Sequence, residues 1–196
     1  MPLKSEERFA EVIETNSINF TAQCYQLYNT PPLGSIIKAG EPGILALIHS
    51  IKNGPVDAGR RVFPRGVDEE NEAQIYRNHP QLKLLLSTQI EGLVIGYYDG
   101  ATIRIGLPPN PSHLHAFVSS CNPSEVMNCT QDFSIVRMLL RAAIPAVDEI
   151  VIAFLSLAAS SHNEPDQFLL GAGKSLVAEL SHDMIRLNAL LRRLTP

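Results

Sequence analysis

Up to about residue 120, apolar and polar positions alternate over short runs broken by Gly and Pro; beyond it, apolar positions recur every three or four residues. The first pattern predicts β-strands and the second predicts helices. Strands are expected over Phe9 to Glu14 and Ile18 to Leu27, joined at Thr15-Asn16-Ser17. In the second of these, Phe20, Ala22, Cys24 and Gln26 share one face, because successive strand residues point to opposite sides. Pro31-Pro32 ends the run, since proline has no donor for a sheet ladder. Further strands are expected at Ile36 to Lys38 and Ile44 to Ile51, followed by a loop from Asn53 to Gly66 and a short helix from Asp68 to Asn78. Leu84 to Tyr97 reads as a long or broken strand that turns at Asp99-Gly100 into Ala101 to Ile105, and His115 to Ser119 reads as a closing strand. Six or seven short strands with irregular links favour a small barrel over an open sheet.

Past Asn122-Pro123, an N-cap followed by proline at the first helical position, the pattern is helical. Asp132 is expected to cap a helix from Phe133 to Ala143, and Pro145 to open the next. That helix is apolar around almost its whole circumference, which predicts a central, covered position. A last helix is expected from Pro165-Asp166 to near the C-terminus. Val177, Leu180, Met184, Leu187, Leu191 and Leu194 recur along it at steps of three and four, a seam spent either inside one chain or between subunits. Leu180, Met184, Leu187 and Leu191 are the candidate oligomer interface. The expected fold is α+β: a β-barrel domain over residues 1–120 and a helical bundle over 121–196, each with its own core.

Punctuation sharpens the division, because ten of the fourteen prolines and ten of the twelve glycines precede residue 120. Charge is balanced across it, with ten Lys and Arg against twelve Asp and Glu before that point and six against eight after it. Neither half carries the basic footprint of a nucleic-acid module, so direct nucleic-acid binding is not expected. Cys24, Cys121 and Cys129 are odd in number and lack a CxxC pair, which suits reduced thiols in the cytoplasm. The most hydrophobic run, Ile150 to Ala159, is too short to cross a bilayer, and Met1 to Glu7 lacks the apolar core of a signal peptide.

Few stretches invite chemistry. Gly171-Ala172-Gly173-Lys174-Ser175 imitates a phosphate loop, but Phe168 occupies the position where the motif needs its first glycine, and no strand precedes it. A glycine-bearing helix is the better reading. His113 and His115 with Cys121 and Cys129 lack the tight ligand spacing of a zinc site, so no metal is expected. No nucleophile elbow, HExxH or kinase signature occurs, and adjacent Asp148 and Glu149 do not share a helix face. No catalytic residue and no cofactor are therefore expected. The most distinctive polar stretch is Gly59-Arg60-Arg61-Val62-Phe63-Pro64-Arg65-Gly66. Arg60, Arg61 and Arg65 around Phe63 suit a carboxylate or phosphate on a partner or ligand.

Several segments resemble the HAS barrel, the small β-barrel at the N-terminus of HerA-type translocating ATPases and ATP synthase subunits. They are Phe9 to Glu14, Phe20 to Leu27, Leu33-Gly34-Ser35-Ile36-Ile37, Gly43 to Ile48, Leu93-Val94-Ile95-Gly96 and the exit Leu107-Pro108-Pro109. The resemblance covers about residues 9 to 118 and is greatest to stand-alone, cyanobacterial-type proteins with C-terminal helices. No ATPase domain is expected within these 196 residues, so none of that family's catalytic residues is expected to have a counterpart among them. The resemblance implies a docking or ring-assembly role, in a homo-oligomer or with a ring ATPase. A small-ligand or nucleotide-responsive protein, with an anion site near Arg60 to Arg65, is the alternative.

Overall fold

The computed structural model describes residues 8–57 and 59–194. Its N-terminal half forms a seven-stranded antiparallel sheet from β1 (Arg8–Thr15), β2 (Asn19–Cys24), β3 (Ile36–Ala39), β4 (Ile44–Pro55), β5 (Leu86–Asp99), β6 (Thr102–Ile105) and β7 (Phe117–Ser120). The strand order is β2-β1-β7-β3-β4-β5-β6, and β2 also pairs with β5 from Asn19 opposite Leu93 to Gln23 opposite Gln89. Two short helices, α1 (Glu72–Asn78) and α2 (Leu82–Leu85), lie between β4 and β5. The C-terminal half contributes α3 (Pro123–Cys129), α4 (Ser134–Arg141), α5 (Val147–Ala159), α6 (Pro165–Leu180) and α7 (Met184–Leu194). No helix among the described residues is long and apolar enough to cross a membrane.

Burial explains why the central strands look apolar throughout. Ile44, Leu45, Ala46, Leu47 and Ile48 are all buried in β4 because both of its faces are covered. Ile44, Ala46 and Ile48 join Phe9, Val12, Phe20, Ala22, Ile37, Ile90, Val94 and Val118 in one apolar cluster built from strand residues. Leu45 and Leu47 point the other way and join Ile36, Leu93 and Ile95 against the helices. The helical core expected to stand apart therefore includes five strand residues. Its centre is α5, whose Ile150, Val151, Phe154 and Leu155 are buried as the all-round apolar pattern predicts. Each such side chain contributes about 1.5–3 kcal/mol on burial, which sets the helices firmly on the sheet.

Several boundaries differ from those read in the sequence. The last helix is two helices, interrupted at Ser181 to Asp183, where Asp183 Oδ1 accepts a hydrogen bond from Arg186 N at 3.1 Å. An Asp that satisfies a free backbone donor at a helix start favours a new helix beginning there. In α1 the cap is Asn71, which accepts from Gln74 N, so the helix opens at Glu72 instead of Asp68. One turn of helix, α2, occupies the expected start of β5. Phe133 and Ala146 adopt left-handed backbone angles, so α4 and α5 begin at Ser134 and Val147.

Candidate functional site

The ladder between β4 and β5 outlasts the pairing of β5 with β2. Beyond Gln89, the residues Thr88, Ser87 and Leu86 pair with Asn53, Gly54 and Pro55 of β4. A hydrogen bond from Val56 N to Leu85 O at 2.9 Å closes the base of the segment between the two strands. The hydroxyl of fully buried Thr88 fixes that base: it accepts from Tyr28 N at 2.7 Å and donates to Asn53 Oδ1 at 2.6 Å. Further out, the Tyr28 and Tyr76 hydroxyls lie 2.7 Å apart with their rings edge to face, tying α1 to the β2–β3 connection. The buried threonine and the tyrosine pair went unread in the sequence, because neither lies in a recognisable local motif.

On this anchored segment the structure brings Arg60, Arg61, Phe63 and Arg65 together. They line a cleft of about 520 Å³ with Gly59, Val62, Pro55, Leu82, Leu85 and Leu86. The apolar walls come from the end of the β4–β5 ladder and from α2. Phe63 is 66% exposed, and all three arginines are exposed. Among the described residues none of the three makes an ion pair, whereas Arg137, Arg186 and Arg193 elsewhere are held by Glu179, Asp148 and Glu149. Solvent-exposed apolar surface beside unpaired guanidiniums suits a ligand that is anionic at one end and apolar at the other.

The other candidates lie elsewhere. Leu180 and Leu187 are buried in the chain's own helical core, Leu191 packs partly against it, and Met184 is exposed. The heptad seam is thus largely consumed by α5, α6 and α7 of one chain. Gly171 to Ser175 lie in the middle of α6, where backbone amides bond within the helix. A methyl at Gly171 would meet the Phe133 ring at 2.8 Å, so this glycine lets an aromatic ring approach the helix. His113 and His115 are exposed, and His115 Nδ1 is bonded to Glu11. No three His, Cys, Asp or Glu side chains among the described residues are placed to hold a metal ion.

One polar cluster joins sheet and helices. Glu125 Oε1 accepts from Lys38 Nζ and from the Tyr98 hydroxyl, both at 2.7 Å, while Oε2 accepts from Asn122 N at 2.7 Å. Asn122 Oδ1 accepts in return from Glu125 N, completing a capping box on α3. Burial pushes the Glu125 pKa up, but the bonds from Lys38, Asn122 and Tyr98 outweigh it and hold the carboxyl below its ordinary range. Tyr98 is held well above the usual phenol range by burial and by that carboxylate. Beside it, a cavity of about 170 Å³ lies between Gly34, Ser35 and Ile36 and α5. It is smaller than the roughly 300–1,000 Å³ of ordinary ligand sites and shares no lining residue with the arginine cleft.

No protein-family model matches this sequence, and no curated protein matches it. The arginine cleft, described from its own geometry, is the candidate site.

Proposed function

We propose that this chain is a non-enzymatic assembly or adaptor protein. In this reading its strands form a HAS-type barrel for self- or partner association, within a homo-oligomer or beside a ring ATPase, in the cytoplasm and without a cofactor. The observation that carries the reading is the anchored cleft beyond the end of the β4–β5 ladder, where Phe63 and three unpaired arginines face solvent. An exposed aromatic flanked by arginines is the composition of an interface centre. The pairing of β2 with both β1 and β5 supports the barrel, since closure needs the strand order to return to its start.

A second reading is favoured by the same cleft's size. About 520 Å³ lies within the roughly 300–1,000 Å³ that small ligands occupy, and the arginines would hold a ligand's anionic group. Thermal-shift measurements against nucleotides and anionic metabolites, beside affinity purification of the tagged full chain from its native cells, separate the two. The assembly reading expects no ligand shift and a protein retained by wild type but lost from Phe63→Asp. A midpoint raised by a nucleotide and unaffected retention would replace it with the ligand reading.

A further inference from the structure

Between Val56 and Leu85 the chain carries five basic and five acidic residues. None of them forms an ion pair within the chain among the described residues, whereas Lys38, Arg104, Arg137, Arg141, Arg186 and Arg193 elsewhere do. The two signs are also sorted along the segment. Arg60, Arg61 and Arg65 come first, and Asp68, Glu69 and Glu70 follow, separated from Arg65 by Gly66 and Val67 alone. A turn from Glu69 N to Gly66 O at 3.2 Å joins the two groups, so Arg65 and Asp68 lie within about 11 Å of each other along the backbone. Between the groups stands Val67, 87% exposed, with Phe63 and Leu84 also exposed on the same segment.

We propose that this segment is a two-fold self-association surface whose occupant is a second copy of the chain. A surface with a basic group, an apolar centre and an acidic group is complementary to itself when rotated by half a turn. Arg60, Arg61 and Arg65 of one copy then face Asp68, Glu69 and Glu70 of the other, twice over, with Val67 near the axis. Opposite charges left unpaired so close together within one chain are what such pairing uses, and the exposed apolar side chains supply its centre. The proposal rests on the association reading and specifies its partner; it moves self-association away from the seam along α6 and α7, whose Leu180 and Leu187 are inside the chain's own core.

Sedimentation velocity on the full chain at micromolar concentration, at low and high salt, tests it. Wild type should be a dimer that weakens as salt rises. The triple variants Arg60→Glu/Arg61→Glu/Arg65→Glu and Asp68→Arg/Glu69→Arg/Glu70→Arg should each dissociate, by more than about tenfold in Kd, because like charges then face each other. Circular dichroism should show both folded, since every altered residue lies on the chain's surface outside its apolar clusters. Mixed in equal amounts, the two variants should form a heterodimer, a rescue that a merely damaged surface does not produce. A monomeric wild type, a dimer that survives both variants, or a mixture that stays monomeric overturns the proposal. Loss of association only in the arginine variant also overturns it, and assigns the surface to an anion. A partner protein retained by a monomeric wild type would leave the association reading standing while this inference fails.

Discussion

A methyl group built on Gly34 would lie 2.5 Å from the backbone nitrogen of Phe154, so only hydrogen fits between this turn and α5. Gly34 also has φ +87°, outside the range that residues with a Cβ readily adopt, and its N–H donates to Ile48 O at 2.9 Å. Close approach and positive φ thus coincide where the strands meet the central helix. Gly34→Ala should cost about 2–4 kcal/mol, combining left-handed strain with a backbone clash that no rotamer relieves. Urea denaturation of the two proteins measures it, and a difference under about 0.5 kcal/mol, the size of an ordinary surface change, would show that the turn and α5 separate easily.

Glu125 is expected to matter as a charge as well as a shape. Glu125→Gln keeps the side chain's size but weakens the bonds to Lys38 and Tyr98, and should cost about 1–3 kcal/mol at pH 7. Its folded-state pKa lies below the ordinary 4.5, so the charge-dependent stabilisation is complete above the unfolded value and is lost as pH falls through the folded one. Thermal midpoints from pH 7 to pH 3 should therefore show the gap between wild type and variant closing only below about pH 4.5. A gap that is constant across the range would assign the effect to packing.

The thiols should be slow to react while the chain is folded. Burial pushes Cys24 up to about 11 and Cys129 up to about 12, and it also raises Cys121, with Glu125 adding to the last two. Since the thiolate is the nucleophile, iodoacetamide at pH 8 should label native protein far more slowly than urea-unfolded protein. Intact-mass spectrometry over time reads this directly, and equal rates would place at least one thiol in the open.

ATP turnover is not expected, and Lys174→Ala should leave nucleotide affinity and thermal midpoint within error of wild type. Lys174 is exposed on α6, one residue past Gly173, and no loop of free amides surrounds it. Gly171→Ala should behave differently, lowering stability because the Phe133 ring must move from its 2.8 Å approach. Isothermal titration with ATP and melting curves for both variants test the pair.

Alternation at Phe20, Ala22 and Cys24, the breaks at Pro31-Pro32 and Asp99-Gly100, and the cap at Asn122-Pro123 were legible because each depends on a few neighbouring residues. Such local chemistry determined the strands, the switch to helices near residue 120 and the central place of α5. The sequence also exposed Arg60 to Arg65 as a polar loop, but not the cleft around it. That cleft needs Pro55, Leu82, Leu85 and Leu86, which only the β4–β5 pairing and α2 bring to its side. Lys38 and Glu125, far apart in the chain and 2.7 Å apart in space, are a similar case. The leucine seam admitted two outcomes, and packing chose burial for Leu180 and Leu187 because α5 lies within reach. Short-range preferences act between neighbours along the chain; which distant surfaces meet depends on the whole arrangement, and only the tertiary structure decided that.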